Sequence, residues 1–383
     1  MHATIESGFR VEWRPLATLC SIAPQWRALA ARALEPNAFY EPAFAIAAAP
    51  VFGRHTGAGL VWSRTTPGRL LGLFPATSSR LRYGWPMPVL VGWTHPYGPF
   101  GAPLIDGEVG ETVIDAWLDH LARDARRPKL MLMPYFPVEG PLARALDAAL
   151  ARSGGRSILF DCHVRAQLAP GNDRSRYIEG ALDPKKLKEL RRQLRRLDDK
   201  GMVSWRMASE PDPLAEALEN FLRLEASGWK GRAGTAARQN PKIRPFIEMA
   251  VAQLAREGKA RIAELLLDGR AVASLLLLQS KDTIWTWKIA YDEAITRASP
   301  GVQLILHVTR MLLDDPAVGR ADSCAAPDHP MINRIWRERL PLADRLICIG
   351  NGGSAVFMLA AACEAARRSM AATGKNVWAL SRR

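Results

Sequence analysis

The chain has 383 residues, of which 48% are hydrophobic and 23% charged, and its formal net charge is +14. The length exceeds what one hydrophobic core usually supports, so two or three domains are expected, and the ordinary composition excludes an intrinsically disordered chain. The positive charge favours acidic partners, among which CoA, tRNA, anionic lipid headgroups and acidic glycans all stay open.

Cysteine usage and the apolar stretches indicate the compartment. Five cysteines are scattered without CxxC spacing, which argues against a disulfide framework and a zinc site and favours a reducing environment. The opening residues MHATIESGFRVEWR carry charges where a signal peptide needs an apolar run. The apolar stretch 354–363 is shorter than the about 20 residues that cross a bilayer. We therefore expect a cytoplasmic protein without a metal.

The first half of the sequence predicts a hairpin, a rigid loop and a helix. Two apolar runs, 59–62 and 70–76, flank a turn at Pro67-Gly68, and an amphipathic helix is expected over 111–125. Between them lies the loop HPYGPFG, residues 95–101. If the two halves of the chain face each other, Tyr97 of this loop is a candidate for the substrate pocket, although the loop can also be a packed connector.

The second half repeats this order loosely, since VLVGWTHPYG parallels TIWTWKIAYD and a helix follows each segment. Such a parallel is what a tandem duplication of one α/β unit leaves in a sequence. The segment PGNDRS, near 169–175, interrupts two structured runs. We therefore place a domain boundary at 170/171, with one domain over 1–170 and the other over 171–383.

A strongly basic helix is predicted over 184–200. Leucines recur at helical spacing along it and form one apolar stripe, while the remaining faces carry seven basic residues: Lys185, Lys186, Lys188, Arg191, Arg192, Arg195 and Arg196. A run of charge is often only a solvated helix face. The functional interpretation is a landing surface for a polyanion, either a tRNA acceptor stem, an acidic glycan or a membrane surface.

Two residues of the next segment, Trp229 and Lys230, are followed closely by Gly231 and Gly234. In such a loop the indole can stack on an acyl chain or a sugar, and Lys230 can pair with a phosphate. The alternative is a helix end, with Trp229 as a core anchor and the glycines as ordinary capping residues.

The region 261–313 predicts three strands that lead into a helix. Asp268-Gly269 lies between two apolar runs and indicates a two-residue hairpin turn, and a third run covers 283–290. Ser299-Pro300-Gly301 then begins a periodic helix. Because a helix N-terminus presents unpaired amides, this junction is a good place to hold a phosphate-bearing ligand.

Polar residues at the end of the third run are candidates for catalysis. In acyl transfer to an amine, a base accepts the proton of the nucleophile and an acid can return one to the leaving group. Tyr291 is a candidate acid, and Asp292 or the next residue, Glu293, a candidate base. Asp292 can equally cap the segment that follows.

Three further polar residues form a second candidate group: Asp322, Asp328 and His329. A carboxylate beside an imidazole can hold a general base near neutral pH. Asp328 can equally be the N-cap of a helix that carries Asn333 and Trp336. No P-loop, nucleophile elbow, HExxH or Rossmann motif is present in the sequence.

These motifs together resemble the GNAT N-acyltransferases, and the flanking segments resemble the acetyltransferase domain of CelD-type cellulose-biosynthesis proteins. The match spans roughly 183–349, and its most specific pieces are Trp229-Lys230-Gly231, Ser299-Pro300-Gly301 and DHPMINRIW. The resemblance implies two tandem GNAT-like α/β domains, each with a mixed, mostly antiparallel sheet flanked by helices. It also places Asp322 at the end of a strand beside the donor strand.

In GNAT enzymes the pantetheine of an acyl-CoA lies along the last strand of the meander and its pyrophosphate on the following loop and helix. The resemblance therefore assigns the donor to the backbone around five residues: Ser299, Pro300, Gly301, Val302 and Gln303. It also makes Trp287, on the third run, a candidate substrate contact. The usual phosphate loop [QR]-x-x-G-x-[GA] is incomplete, because aligning its first Gly with Gly301 places Ala298 at its head and Gln303 at its tail.

The sequence therefore predicts an N-acyltransferase that uses acetyl-CoA or another acyl-CoA and an amine acceptor linked to exopolysaccharide or envelope assembly. FemAB-like relatives, which take their acyl group from a charged tRNA, offer a second interpretation. A third is a non-catalytic binding subunit of a polysaccharide-synthesis complex.

Overall fold

The computed structural model describes residues 8–65, 68–171, 174–350 and 354–380. Within them, the strands in chain order are β1 (Phe9–Pro15), β2 (Thr56–Ser63), β3 (Leu70–Ser79), β4 (Val89–Gly92), β5 (Leu104–Ile105), β6 (Leu130–Pro137), β7 (Arg156–Leu168), β8 (Val203–Ala208), β9 (Ala260–Leu267), β10 (Arg270–Ser280), β11 (Thr283–Tyr291), β12 (Arg320–Asp322) and β13 (Glu338–Cys348).

The α-helices of the same residues are α1 (Ala23–Arg32), α2 (Pro42–Phe52), α3 (Gly110–Arg123), α4 (Pro141–Ser153), α5 (Tyr177–Ala181), α6 (Pro184–Asp198), α7 (Pro211–Ser227), α8 (Trp229–Arg232), α9 (Ile243–Arg256), α10 (Pro300–Asp314) and α11 (Ser354–Leu380). Short 3₁₀ helices lie between them. None of the helices in the described part of the chain has the length and apolar composition needed to cross a membrane.

The chain divides into two compact units. The first comprises the described residues up to 37, then 53–163 and 341–380, and the second comprises 38–52 and 164–340. The chain therefore passes between the units at 163/164, a few residues before the boundary expected at 170/171. It also contributes one early segment to the second unit and its C-terminal segment to the first. The predicted turn at Pro67-Gly68 lies in part outside the described residues.

The first unit contains a sheet in the order β1-β2-β3-β4-β6-β13-β7. Strands β1 to β4 form an antiparallel ladder, β4 runs parallel to β6, and β13 is antiparallel to β6. The predicted hairpin of the first half is formed by β2 and β3, and the predicted helix 111–125 is α3. The C-terminal helix α11 packs Phe357 and Ala360 against a cluster that includes Leu132 and Leu346.

The second unit contains a sheet in the order β7-β12-β11-β10-β9-β8. All neighbours are antiparallel except β11 and β12, which run parallel and are joined by α10. A parallel pair needs such a crossover. The first unit has the same plan, since α3 joins the parallel pair β4 and β6. The two units therefore repeat one mixed, mostly antiparallel α/β plan, as the sequence predicted.

Local chemistry explains the meander of the second unit. Asp268 and Gly269 join β9 to β10 with φ of 49° and 75°, the positive values that a type I′ turn requires. Lys281 takes a φ of 53° between β10 and β11. The turn predicted at Asp268-Gly269 is confirmed.

Helices cover both faces of the second sheet. Helices α6 and α10 bury Leu190, Leu304 and Val308 against Leu275 and Ile284 on one face. The opposite face packs against α2, α7 and α9, where aromatic rings from α2, α9 and β11 meet edge to face. Burial on two faces explains why β10 and β11 read as nearly continuous apolar runs.

Candidate functional site

One edge of strand β11 pairs with β10 along its length, and the other edge pairs with β12 only at its beginning. It pairs with β12 over three residues only, from Thr283 to Trp285, since β12 ends at Asp322. The register with β10 shifts between Leu276 and Leu277, which leaves Trp287 as an extra residue in β11. Such a bulge bends a strand and increases its twist. Beyond it, β11 follows β10 but not β12.

Beyond Trp285, the backbone N–H and C=O groups of successive β11 residues point alternately to its two edges. Asp292 donates its N–H to the carbonyl of Val272 at 2.9 Å, in register with the pairs Ala290–Ser274 and Lys288–Leu276. In an antiparallel ladder these pairs exchange hydrogen bonds, so the N–H and C=O groups of the residues between them point to the other edge. The backbone groups of residues 289 and 291 therefore face the edge of β11 that β12 pairs with only at residues 283–285.

This edge leads to the N-terminus of α10. Ser299 caps the helix with a φ of 51°, and Pro300 occupies its first turn, where a missing N–H costs nothing. The amide of Gln303 donates to the carbonyl of Ser299 at 3.0 Å and makes the first helical hydrogen bond. The amides of Gly301 and Val302 therefore have no acceptor within the helix.

The side chain of Gln303 is used inside the protein. Its Nε2 donates to the carbonyl of Leu190 on α6 at 2.8 Å, and the side chain is buried. Gln303 thus ties the first turn of α10 to α6. Of the five residues expected at the donor, it is the one whose side chain has a structural partner.

A basic cleft of about 630 Å³ lies beside the same junction. The C-terminal half of α6 lines one side with Gln193 and Arg196, and Lys200 just after the helix extends this side. The 3₁₀ segment Glu293–Ala298 lines the other side with Arg297. Three cations against the carboxylate of Glu293 give the cleft a positive balance. A phosphate group fits such charge.

Tyr291 ends β11 and is part of a smaller cavity of about 50 Å³. Its side chain is partly exposed, and Trp229, which is 60% exposed, lines the same cavity. Trp229 begins the short helix α8, so it is neither a core anchor nor a residue of an open loop. Gly231 is required there, because a Cβ would lie 1.7 Å from the carbonyl oxygen of Ala226.

Neighbouring acidic residues have local structural partners. Asp292 accepts a hydrogen bond from the amide of Ala294 at 2.9 Å and caps the 3₁₀ segment. Glu293 accepts from the amide of Trp229 at 2.9 Å and from Arg232 at 2.6 Å. The hydrogen bond from Arg232, aided by that amide, holds the pKa of Glu293 below its usual range. Glu293 thus joins α8 to the end of β11.

A charged cluster that the sequence reasoning did not identify lies where β11 leaves β12. Lys288 follows the bulge and lies near Glu225 of α7, Lys230 of α8 and Cys324 just after β12. Lys230 donates to Glu225 at 2.7 Å. Burial, and then the charge of Lys230, lower the pKa of Lys288 to about 8. A single lysine within the apolar run TIWTWKIAY was the available signal.

The candidate catalytic residue Asp322 is buried and forms an ion pair with Arg165 of β7. Its other oxygen accepts the amide of Cys324 at 2.9 Å. Burial, and then the charge of Asp322, raise the pKa of the Cys324 thiol. The carboxylate of Asp322 therefore holds the end of β12 to Arg165 of β7 and to the amide of Cys324.

The prediction that Asp328 and His329 open a helix is wrong. Asp328 is exposed with a φ of 56°, and His329 accepts the amide of Met331 at 3.4 Å through Nδ1. Only a 3₁₀ turn, Ile332–Arg334, follows. The buried Trp336 donates to Thr309 of α10 at 3.0 Å, which anchors this segment without an α-helix.

The two remaining substrate candidates have different settings. Trp287 is buried among Phe44 and Phe246, with ring centroids 5.4 and 6.3 Å away, so it packs α2 and α9 onto β11. Tyr97 belongs to the first unit, where its amide donates to Nδ1 of His95 at 3.3 Å. The structure therefore brings together the candidates on α8, β11 and α10, all in the second unit.

In the described residues, no group of three or more His, Cys, Asp or Glu side chains is arranged to hold a metal ion. The features that can hold a donor are the outward-facing backbone of β11, the amides at the N-terminus of α10 and the basic cleft. They suit a ligand with a long hydrogen-bonding arm and a phosphate end.

Comparison with known proteins finds a similar family for part of the second unit. Residues 184–327 match the family model described as an acetyltransferase (GNAT) domain. No curated protein sequence matches the chain.

Among solved structures, FemX superposes with a TM-score of 0.56 at 10% identity, over 86% of this chain and 96% of that chain. The C-terminal domain of a putative lysylphosphatidylglycerol synthetase from Agrobacterium fabrum gives 0.53 at 13% identity, over 89% and 95%. A conserved protein of unknown function from Bacteroides thetaiotaomicron gives 0.52 at 13% identity, over 89% and 100%. Identities this low show a shared fold and do not identify a substrate for this chain.

The family match lies within the second unit and includes α10, β11 and the segments that line both cavities. Residues 184–327, within the second unit, are therefore similar to an acetyltransferase (GNAT) domain.

Proposed function

We propose that this protein transfers an acyl group from an acyl-CoA, with acetyl-CoA as the simplest donor, to the nitrogen of an amine acceptor. The observation that carries the proposal is the continuous path from the outward-facing backbone of β11 to the amides of Gly301 and Val302. The path fits both parts of the donor, because amide groups of an extended arm can bond to a strand edge and phosphates to a helix N-terminus.

The basic cleft supports the phosphate end of this arrangement. Arg196 on α6, Lys200 just after it and Arg297 before α10 line this cleft, within the same unit as Gly301. We assign the donor to the backbone of residues 299–303, with the side chain of Gln303 holding α6 rather than a phosphate. Ser299 and Pro300 then set the turn that exposes the two amides.

Around the reacting centre, we propose Tyr291 as the acid that protonates the leaving sulfur and Trp229 as a stacking surface for the acceptor, with Lys230 beside it. All three line one cavity. Asp292 and Asp322 are the weaker candidates for a base because both carboxylates accept hydrogen bonds from local amides. Asp328 and His329 stay in the proposal as candidates for peripheral contacts with the acceptor, whereas the ring of Trp287 packs on Phe44 and Phe246.

The acceptor class follows from resemblance alone. Likeness to CelD-type acetyltransferase domains favours an amine in exopolysaccharide or envelope assembly, and a cytoplasmic reaction at a membrane surface suits acyl-CoA. The exposed cations of α6 are the surface that an acidic glycan or anionic membrane would meet. They are Lys185, Lys188, Arg191, Arg192, Arg195 and Arg196.

The same surface supports a second candidate function, transfer from a charged tRNA. A row of exposed cations on one helix is suited to the phosphates of an acceptor stem. A non-catalytic subunit that recruits a glycan-synthesis complex through this helix is the third.

Calorimetry of the full chain with acetyl-CoA tests the lead proposal. Acetyl-CoA is expected to bind, and Gly301→Glu, which puts a carboxylate at the phosphate site, is expected to abolish binding. The matched control is Met311→Glu, which adds the same charge to an exposed position of α10 about 15 Å from its N-terminus. Retention of charged tRNA without acetyl-CoA binding would favour the second candidate. Binding of neither ligand would favour the third.

A further inference from the structure

We propose that Lys288 is the general base of the acyl transfer: its Nζ takes a proton from the acceptor nitrogen, while Tyr291 is the acid that protonates the sulfur of CoA. This inference rests on the proposed function and names a catalytic group for it.

The position of Lys288 in the strand is the first argument. The parallel pairing of β11 with β12 ends at the pair Trp285–Asp322, and the bulge at Trp287 places Lys288 just beyond that point. Cys324 follows β12 and lies close to Lys288 where the pairing has stopped. The side chain of Lys288 therefore lies just beyond the end of the β11–β12 pairing, close to Cys324, Glu225 and Lys230.

The distance to the donor site is the second argument. Three residues of extended strand separate Lys288 from Tyr291, which is about 10 Å. The ring of Tyr291 in turn contacts the first turn of α10 at Gly301. A donor whose phosphates bind at that turn and whose arm follows the outward-facing backbone of residues 291 and 289 thus brings its thioester to Lys288.

The cavity proposed to receive the acceptor is the third argument. Glu225 and Lys230 line the cavity that contains Tyr291 and Trp229, and both lie close to Lys288. The two oxygens of Glu225 already accept hydrogen bonds, one from Lys230 at 2.7 Å and one from the amide of Ala237 at 2.8 Å. Glu225 is therefore held as the partner of Lys230.

The charges around Lys288 agree with this role. From three different elements it faces the cation of Lys230, the carboxylate of Glu225 and the thiol of Cys324. Burial and the neighbouring cation lower its pKa to about 8, so a substantial neutral fraction exists near physiological pH. The half-buried side chain keeps some contact with solvent, through which an acceptor can approach.

The step balances without another reactant. The acceptor nitrogen attacks the thioester carbonyl, the C–N bond forms, and neutral Lys288 accepts the proton that this nitrogen loses. The C–S bond then breaks, and Tyr291 supplies its phenolic proton to the thiolate. Solvent then returns a proton to the Tyr291 phenolate and takes one from the Lys288 ammonium. The products are the amide and free CoA, and Lys288 is again neutral.

The test measures Lys288 directly and needs no identified acceptor. The lysines of the full chain are converted to ¹³C-dimethyl-lysines, and the Lys288 signal is assigned by its absence in Lys288→Arg. The signal is followed by NMR from pH 6 to 11, alone and with saturating acetyl-CoA. Lys242, exposed before α9, is assigned in the same way as the reference lysine.

The expected result is a titration midpoint near 8 for Lys288 and a shift of its signal on addition of acetyl-CoA, with no shift at Lys242. A midpoint near the ordinary value of about 10.4 overturns the inference. So does a Lys288 signal that stays in place while calorimetry shows that acetyl-CoA binds. If acetyl-CoA does not bind at all, the proposed function fails and this inference fails with it, whatever the midpoint.

Discussion

A Cβ atom built on Gly301 would lie 2.9 Å from Cδ1 of Tyr291. The first turn of α10 and the last residue of β11 therefore touch because residue 301 has no side chain. This contact joins the proposed phosphate site to the proposed acid. It also explains why Gly occupies the second position of α10, where its φ is not in the left-handed region.

Replacing Gly301 with Ala is expected to push the ring of Tyr291 aside and to weaken acetyl-CoA binding about tenfold, or ~1.4 kcal/mol. Titration calorimetry measures the affinity, and Met311→Ala on the exposed side of α10 is the control. Equal affinity in wild type and Gly301→Ala would contradict a donor site at this turn.

Substitution of Lys288 with Met or Arg is expected to lower the rate of amide formation by about 10²–10³, the usual size of a lost general base. The dissociation constant of acetyl-CoA should change little, because the donor is held by backbone groups. Release of CoA thiol with an accepted amine measures the rate, and Lys242→Met is the control. Wild type should gain rate as pH rises through about 8, and retention of that increase in Lys288→Arg would count against the role.

The same residue makes a prediction for stability. The folded pKa of Lys288, about 8, lies below the unfolded value of about 10.4, so the unfolded chain binds more protons between these values. The free energy of unfolding should therefore rise with pH across that window. Below pH 8, the destabilisation caused by burying charged Lys288 should be fully present. Denaturant unfolding of Lys288→Met is expected to show a gain of about 3 kcal/mol at pH 7, at about 1.36 kcal/mol for each unit between the two pKa values, and this gain should largely fade by pH 10.5. A constant difference across the window would refute the lowered pKa.

Variants of the ion pair between Arg165 and Asp322 distinguish a structural from a catalytic role for Asp322. Asp322→Ala is expected to cost about 3–5 kcal/mol, because it leaves the Arg165 guanidinium buried without its counter-charge. The double variant Arg165→Met/Asp322→Ala should recover much of that loss. Chemical unfolding measures both. A stable Asp322→Ala protein with intact acetyl-CoA binding but no transfer would instead identify Asp322 as the base.

The cations of α6 are expected to govern binding to polyanions. Exchanging Arg191, Arg192 and Arg195 for Gln should weaken binding of tRNA or of phosphatidylglycerol vesicles and flatten its dependence on salt, since fewer counterions are released. The matched control removes three cations from the first unit, at Arg123, Arg126 and Arg152. Fluorescence anisotropy over a range of salt concentrations gives the slopes for tRNA, and vesicle sedimentation gives them for lipid. Equal slopes for the two triple variants would remove α6 as the binding surface.

Several local elements followed from residue type and spacing. Asp268-Gly269 predicted the turn between β9 and β10, because few other pairs adopt two positive φ values. Pro300 predicted the start of α10, and the leucine stripe predicted the buried face of α6, although Leu194 of that stripe is only half-buried. The tandem plan could also be read, since each unit repeats its strands and crossover helix in the same order.

The sequence determined the meander, the helix that follows it and the GNAT-like plan, because turns, caps and apolar periodicity act over a few residues. Only the tertiary structure decided that Asp322 meets Arg165, that Gln303 holds α6, and that Lys288 lies beside Glu225, Lys230 and Cys324. It also decided that the segment after Asp328 forms no α-helix, since Trp336 is fixed by Thr309 instead. These contacts join residues that are distant in the chain, and no local pattern reports the burial of a charged side chain such as Lys288, which lowers its pKa.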